Sequence, residues 1–175
     1  TLFDEAGRDV FVMVGDGSYL MMNTELVTAV AEGIKVIVVL VQNHGFASIG
    51  ALSESPGSQR FGTQYRYRTS TGLDGERLPI DLAANAASLG ADVIRADGID
   101  DFRKAILAAK ASDRTPVIHV ETDPLIPAPD SPAWWDVPVA EVSAIDSTRT
   151  ARATYDDHKK GQRHHLAPAD DPEDS

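Results

Sequence analysis

The run IKVIVVLV at residues 34–41 restricts the fold more than any other stretch of the sequence. It is apolar except for Lys35 and rich in β-branched residues, which is typical of a strand covered on both faces. Residues 22–33, just before it, carry apolar side chains at helical spacing. A buried strand next to an amphipathic helix indicates a sheet with helices packed against it.

The rest of the chain alternates between apolar strands and helices in the same way. Strands are predicted at residues 10–14, 91–95 and 116–121, and helices at residues 79–89 and 99–111. Alternation of this kind predicts an α/β fold, with a parallel sheet and helices on both of its faces. Residues 43–78 are rich in Gly, Ser, Arg and Gln and are predicted to form a long loop, which in a compact domain is usually functional.

The character of the sequence changes after Asp123. We predict an α/β domain at residues 1–123, a Pro/Trp-rich connection with a C-terminal helix packing on that domain at residues 124–163, and an acidic, disordered tail at residues 164–175. Trp134 and Trp135 are expected to be packing anchors rather than a substrate platform. The chain starts Thr-Leu-Phe without methionine, which suggests the C-terminal piece of a longer protein.

Composition excludes several classes of partner. With 175 residues the chain is long enough for one α/β domain, and the absence of cysteine excludes disulfides and fits a reducing cytoplasm. The formal charge of −11 argues against a nucleic-acid surface. No apolar run approaches the ~20 residues of a membrane helix, and no signal peptide is present. We therefore expect a cytoplasmic protein with neither nucleic-acid nor membrane partners.

A carboxylate stands between two glycines where the first strand ends, in the sequence Gly15-Asp16-Gly17. Backbone N–H groups at such a strand end are suited to bind phosphate. An acidic side chain would repel phosphate unless a cation stood between them. The tripeptide therefore indicates a site for phosphate together with a metal ion.

A second polar cluster, Gln42-Asn43-His44-Gly45, follows the buried strand directly. Ligands in parallel sheets bind at the carboxyl ends of strands, so these two loops are expected to meet there. Asp16, the Asn43 side chain and the Gly45 carbonyl would then supply oxygen ligands to a hard cation such as Mg²⁺. The amides of Gly17 and Ser18, with the start of the following helix, would bind phosphate oxygens.

The spacing of these motifs resembles that of the thiamine-diphosphate-dependent enzyme family. GDGS at residues 15–18 is followed by QNHG at residues 42–45, with Asp16 and Asn43 27 positions apart. The resemblance implies a Rossmann-like, three-layer domain that binds thiamine diphosphate and Mg²⁺. It implies that Asp16, Asn43 and Gly45 hold the metal and that Gly15, Gly17 and Ser18 complete the cofactor site. Gln42 departs from the family pattern, which often has asparagine there.

The same resemblance implies that part of the active site lies outside this chain. The glutamate that activates the cofactor belongs, in family members, to an N-terminal pyrimidine-binding domain of a second subunit. We therefore expect a homodimer or homotetramer, no catalytic residue within this chain, and no activity of this chain alone. Glu25 lies on the helix after the glycine motif and is expected to have a structural role.

Two further stretches, QNHGFASIGALSESPGSQRFGTQYR and PAWWDVPVAEVS, resemble one branch of this family, the trihydroxycyclohexanedione hydrolases of inositol breakdown. The resemblance implies hydrolytic opening of the ring of a cyclic diketone. Candidate substrate-binding residues are His44, Gln59, Arg60, Gln64 and Arg66. The competing interpretation is packing or capping of the turn for His44, and a solvated basic surface for the other four. His119 lies within an apolar strand and is expected to be a hydrogen-bonded core residue.

Two other functions stay open from the sequence. One is an acetolactate-synthase-like lyase or synthase of the same family. The other is a non-catalytic module that binds a nucleotide or phosphate. The chain lacks the pattern GxGxxG, and Asp16 stands where a dinucleotide-binding fold requires a small residue, so a dinucleotide site is the less favoured interpretation.

Overall fold

The computed structural model describes residues 7–126, 129 and 135–162 of the chain. These residues form four strands and six helices. In chain order they are β1 (Phe11–Gly15), α1 (Asp16–Met22), α2 (Glu25–Ala31), β2 (Ile37–Gln42), α3 (Ala47–Glu54), α4 (Leu82–Ser88), β3 (Asp92–Ala96), α5 (Ile99–Ala111), β4 (Pro116–Glu121) and α6 (Asp146–Lys160). The predicted alternation of strands and helices is confirmed, and the predicted bounds of α5 and β4 match the observed ones.

The four strands form one parallel sheet in the order β1-β2-β4-β3. Strand β2 is central, and the side chains of Ile37 and Leu40 are fully buried. Its alternate residues face opposite sides of the sheet. The predicted α/β fold, with a parallel sheet between two helical layers, is therefore confirmed.

The two faces of the sheet carry separate apolar clusters. On one face, Leu40 of β2 packs with Tyr19 of α1, Leu26 of α2 and Leu82 of α4. On the other face, Ile118 of β4 packs with residues of β2, β3 and α5. Both clusters include residues of the central strands, so each helical layer is fixed to the strands whose ends carry the polar loops.

The helix predicted over residues 22–33 corresponds to α2, and a separate helix, α1, which was not predicted, precedes it. Helix α1 starts at Asp16, immediately after β1, and residues 23–24 separate it from α2. At the start of α2, Thr24 makes no side-chain cap bond, and the Asn23 side-chain amide donates to Asn85 Oδ1 (3.0 Å). Tertiary hydrogen bonding has replaced local capping at this point.

The loop predicted over residues 43–78 contains a helix that the sequence did not indicate. Helix α3 has Gly50 near its middle, which weakens its helical signal because glycine costs about 1 kcal/mol in a helix interior. Gly50 is buried, and a Cβ built on it would lie 2.7 Å from Thr63 Oγ1. Glycine at position 50 therefore allows α3 to pack closely against Thr63.

The chain divides into two compact units, residues 1–51 with 60–127 and residues 52–59 with 128–175. The first contains the sheet, and the second contains α6. Within the second unit, Thr148 Oγ1 of α6 donates to Gly57 O (2.9 Å), and the Trp135 ring meets His158 edge to face at 5.3 Å. Trp135 is thus a packing residue, as expected, whereas Trp134 and the predicted acidic tail lie outside the described residues. The predicted domain boundaries stay predictions.

No helix in the described part of the chain is long and apolar enough to cross a membrane.

Candidate metal and cofactor site

The Asp16 carboxylate joins the two polar loops. Pairing of Gly15 with Val41 in neighbouring strands brings the ends of β1 and β2 side by side. Asp16 is fully buried, and its Oδ2 accepts hydrogen bonds from the amides of Asn43 (3.1 Å) and Gly45 (3.0 Å). Its Oδ1 accepts from the Gly17 amide (2.9 Å). The structure therefore brings Asp16, Asn43 and Gly45 together, as the sequence predicted.

The Asn43 side chain carries an acceptor that the protein itself does not use. Its Oδ1 is buried and has no hydrogen-bond partner within the described residues. A buried polar atom of this kind is costly unless something else satisfies it. An oxygen acceptor beside a buried carboxylate suits a hard cation, so the residues present fit Mg²⁺. The described residues contain no group of three or more His, Cys, Asp or Glu that would suit a different metal centre.

The backbone around Gly45 is shaped for this arrangement. Gly45 has φ +156°, and a Cβ on it would lie 2.2 Å from the carbonyl oxygen of Thr63. His44 is the one non-glycine residue of the described chain with positive φ (60°). The Phe46 amide donates to Thr63 O (2.8 Å) and the Tyr65 amide to His44 O (2.9 Å). Residues 44–46 are therefore held in place by a segment further along the chain.

Gln42 lies at the centre of a buried polar network behind the site. Its Oε1 accepts from His119 Nε2 (2.7 Å), and its Nε2 donates to Ile80 O (3.1 Å) and to His44 Nδ1 (3.2 Å). The other ring nitrogen of His44, Nε2, lies 3.2 Å from Glu121 Oε2. The network thus fixes the His44 ring from both sides, and glutamine is long enough to link the two histidines.

His119 is a buried core histidine, as expected. Burial is the largest cause that lowers its pKa from the ordinary value of 6.5, and the charge of Arg95 lowers it further. The carboxylates of Glu121 and Asp81 act in the opposite direction and do not compensate. The ring is therefore neutral at pH 7 and donates one hydrogen bond to Gln42.

The candidate substrate residues occupy different places. His44, Gln64 and Arg66 line one small cavity of about 20 Å³, together with Tyr65, Arg77 and Pro124. Arg66 is held there, since its Nε donates to Gln64 Oε1 (2.6 Å) and its NH1 to Gly75 O (2.9 Å).

Two of the candidates lie elsewhere. Arg60 NH1 reaches Pro124 O (3.5 Å). Gln59 belongs to the second unit, where its carbonyl accepts from the Ser53 hydroxyl. The substrate role of all five candidates stays a prediction. Glu25, for which a structural role was expected, is exposed and is not one of the residues that line the cavity. Ser18, a predicted cofactor contact, is also exposed.

Tyr65 was not among the residues selected from the sequence. Its hydroxyl oxygen is buried and lacks a hydrogen-bond partner within the part of the chain that the structure describes. Burial, with a smaller contribution from the charge of Asp16, raises the pKa of Tyr65 to about 12. No local motif marks this residue, because it reaches the site only through the pairing of Gln64 with Gly45.

Comparison with known proteins identifies the family of this chain. Residues 2–120 match the family model described as "Thiamine pyrophosphate enzyme, C-terminal TPP binding domain". The match covers more than half of the chain, so the chain belongs to this family. The resemblance deduced from GDGS and QNHG is confirmed.

The chain is also similar to curated proteins of one branch of this family. The chain is 38% identical over 149 residues to 3D-(3,5/4)-trihydroxycyclohexane-1,2-dione hydrolase 1 of Bacillus cereus and 37% identical over 149 residues to 3D-(3,5/4)-trihydroxycyclohexane-1,2-dione hydrolase of Bacillus anthracis. In both cases the alignment covers 84% of this chain and 23% of the relative. The chain thus spans less than a quarter of the length of these relatives, to which it is homologous.

Solved structures agree on the fold. Benzoylformate decarboxylase from Polynucleobacter necessarius is similar with a TM-score of 0.54 and 24% identity, over 69% of this chain and 21% of that chain. The thiamine diphosphate-dependent 4-hydroxybenzoylformate decarboxylase of Rhodococcus jostii RHA1 gives a TM-score of 0.51 and 24% identity, over 66% and 20% of the two chains. At this identity the likeness concerns the fold alone.

Replacing Gly45 with alanine is expected to destabilise the unliganded protein by about 2–3 kcal/mol, because the new Cβ meets a backbone carbonyl at a left-handed φ. Gly15→Ala is the matched control. A Cβ on Gly15 meets nothing within 4 Å and its φ is −76°, so its change is expected to be about 0.5 kcal/mol or less. Urea denaturation measures both, and equal effects would contradict the packing described.

The lowered pKa of His119 is expected to make stability fall as the pH drops. In the unfolded chain His119 binds a proton near pH 6.5, whereas in the folded protein it does so only at lower pH. The contribution of the neutral His119 ring to stability is therefore complete above pH 6.5 and is lost as the pH falls toward the folded pKa. His119→Gln should reduce this slope between about pH 7.5 and 5.5, whereas His158→Gln, at an exposed position, should keep it. Denaturation at several pH values, with NMR titration of the His119 ring, measures the effect; a folded pKa at or above 6.5 would refute it.

Proposed function

We propose that this domain binds thiamine diphosphate through a Mg²⁺ ion held by Asp16, the Asn43 side chain and the Gly45 carbonyl. The observation that carries the proposal is the unpartnered, buried Asn43 Oδ1 beside the buried Asp16 carboxylate. Oxygen-bearing side chains from two loops that hydrogen bonds hold together, one of them with an unsatisfied oxygen, suit a divalent ion that also binds phosphate oxygens. Membership of the family supports thiamine diphosphate as the phosphate-bearing ligand.

The remaining cofactor contacts are assigned to Gly15, Gly17 and Ser18. Gly17 is buried, and a Cβ on it would lie 2.3 Å from the Phe46 ring, so the loop depends on glycine for its close packing. When bound, thiamine diphosphate supplies a nucleophilic carbon and an electron sink for cleavage of a bond next to a carbonyl. The residues of this chain hold and orient that group.

We propose that the whole protein is a longer, cytoplasmic enzyme, of which residues 1–123 form the diphosphate-binding domain. The 23% coverage of the curated relatives supports a longer chain. In this proposal residues 124–163 form a Pro/Trp-rich connection and a C-terminal helix, and residues 164–175 are an acidic tail. A pyrimidine-binding domain of a second subunit supplies the activating glutamate, in a homodimer or homotetramer, so this chain alone is inactive.

The substrate we propose is the cyclic diketone 3D-trihydroxycyclohexane-1,2-dione, whose ring is opened by hydrolysis of a carbon–carbon bond. The names of the relatives, at 37% and 38% identity, support this choice. The side chains of His44, Gln64 and Arg66 lie together around one small cavity and carry N–H groups of the kind that bind hydroxyl and carbonyl oxygens of such a substrate. Gln59 and Arg60 are retained as candidates on the strength of the sequence.

The metal site predicts that binding of thiamine diphosphate requires both Mg²⁺ and Asp16. In calorimetry on the full-length gene product, Asp16→Ala is expected to weaken Mg²⁺-dependent binding at least about tenfold, since it removes the charged ligand. Asp16→Asn, which keeps the size of the side chain, should weaken it as well. Glu25→Ala is the matched control, because it removes an exposed carboxylate of α2 and should leave the affinity unchanged.

Thermal unfolding of each variant distinguishes loss of the ligand from loss of the fold. Asp16 also accepts three backbone hydrogen bonds, so the alanine variant is expected to be less stable than Asp16→Asn. Equal affinity in a folded Asp16→Asn variant, or binding that does not respond to Mg²⁺, would refute the proposed site.

Turnover by the full-length gene product tests the proposed substrate. With Mg²⁺ and thiamine diphosphate present, we expect hydrolysis of 3D-trihydroxycyclohexane-1,2-dione to an acyclic acid and no consumption of pyruvate. Chromatography measures both substrates and the product. Removal of Mg²⁺ with a chelator should abolish the reaction. Consumption of pyruvate without hydrolysis of the diketone would favour the acetolactate-synthase-like alternative, and no turnover of either would favour a non-catalytic phosphate-binding module.

A further inference from the structure

Two buried side-chain atoms lack a hydrogen-bond partner within the described residues, and they are of opposite kinds. Asn43 Oδ1 is an acceptor, whereas the Tyr65 hydroxyl carries a proton to donate. The backbone places both near the end of β2, because the Tyr65 amide donates to His44 O and His44 follows Asn43. The two atoms do not satisfy each other, so each needs a partner other than the residues that the structure describes.

We propose that the Tyr65 hydroxyl is a further cofactor-binding group, which donates a hydrogen bond to a diphosphate oxygen of the ligand whose metal Asn43 and Asp16 hold. This inference rests on the proposed function. It adds a direct contact between protein and phosphate from a segment outside the two loops of the motif.

The position of Tyr65 is fixed, so its hydroxyl has no easy route to another partner. Its amide donates to His44 O (2.9 Å), and its carbonyl accepts from the Leu78 amide (2.9 Å). The ring meets Phe46 edge to face at 6.0 Å. A side chain anchored on both sides of its backbone and packed on one edge of its ring keeps its hydroxyl aimed at one place.

The electrostatic surroundings indicate which atom the hydroxyl meets. The phenol is protonated at neutral pH, because an ordinary phenol loses its proton only at about pH 10, and it is therefore a donor. The Asp16 oxygens already accept three backbone hydrogen bonds, and neither bonds to Tyr65. Water bound to a cation is a strong donor and a poor acceptor, so a metal ion with water alone would leave the phenol unpaired. A phosphate oxygen accepts the bond.

A ligand that presents a cation to one atom and an anionic oxygen to the other satisfies both at once. A magnesium–diphosphate group has this character, whereas a metal ion alone satisfies only the acceptor, Asn43 Oδ1. The opposite requirements of Asn43 and Tyr65 therefore favour the metal–diphosphate pair as a unit.

Tyr65→Phe in the full-length gene product tests the proposal, with calorimetry of thiamine diphosphate and, separately, of inorganic diphosphate, each at saturating Mg²⁺. A hydrogen bond to a charged group is lost, so affinity for both ligands is expected to fall about tenfold or more. Thermal stability of the unliganded protein is expected to stay unchanged or to rise, because an unsatisfied buried hydroxyl is removed.

Two tyrosines of the same chain serve as matched controls. Tyr67 is exposed, so Tyr67→Phe should change neither affinity nor stability. The Tyr19 hydroxyl donates to Asn85 Oδ1 (2.8 Å), so Tyr19→Phe should lower the stability of the unliganded protein and leave the affinity for diphosphate unchanged.

The outcomes separate this inference from the function on which it rests. If the wild type binds thiamine diphosphate with Mg²⁺ and Tyr65→Phe binds it equally well, the role of Tyr65 is refuted and the proposed function stands. If the wild type does not bind thiamine diphosphate with Mg²⁺, the proposed function fails and this inference fails with it. A loss of unliganded stability in Tyr65→Phe like that of Tyr19→Phe would show a partner within the protein and would also overturn the proposal.

Discussion

The three hydrogen bonds that Asp16 accepts are the interaction on which the candidate site depends. Amides of two loops, at positions 17, 43 and 45, converge on one buried carboxylate. A buried charge is tolerated only when it is well satisfied, and backbone donors do this while fixing the course of both loops. The carboxylate that orders the loops is therefore the same group that we propose as a metal ligand.

The sheet explains why these loops meet. Parallel pairing of β1 with β2 places both carboxyl ends at one edge of the sheet, and the apolar clusters on its two faces hold the strands in register. Behind the site, Gln42 connects the neutral ring of His119 to His44. Residue 42 is where this chain departs from the family pattern, and its greater length over asparagine is what allows the connection.

Much of this arrangement follows from local sequence, and the rest depends on distant contacts. The buried run before Gln42 and the spacing of Asp16 and Asn43 were sufficient to predict the fold class and the meeting of the two loops. Helix α3 was missed because Gly50 is set by packing against Thr63, which lies beyond the end of that helix. Tyr65 was missed for the same reason, since its relation to the site comes from non-local pairing of Gln64 with Gly45. Sequence patterns report local propensity and do not reveal contacts between residues that are far apart in the chain.

The strand order also bears on how the molecule assembles. Strand β2 pairs with β1, its near neighbour in sequence, and with β4, from which most of the domain separates it. Closing so long a stretch of chain costs entropy before any contact repays it, and topologies of this kind fold slowly. Pairing of β2 with β4 is therefore expected to be the slow step of folding, and a longer segment between these strands should slow it further.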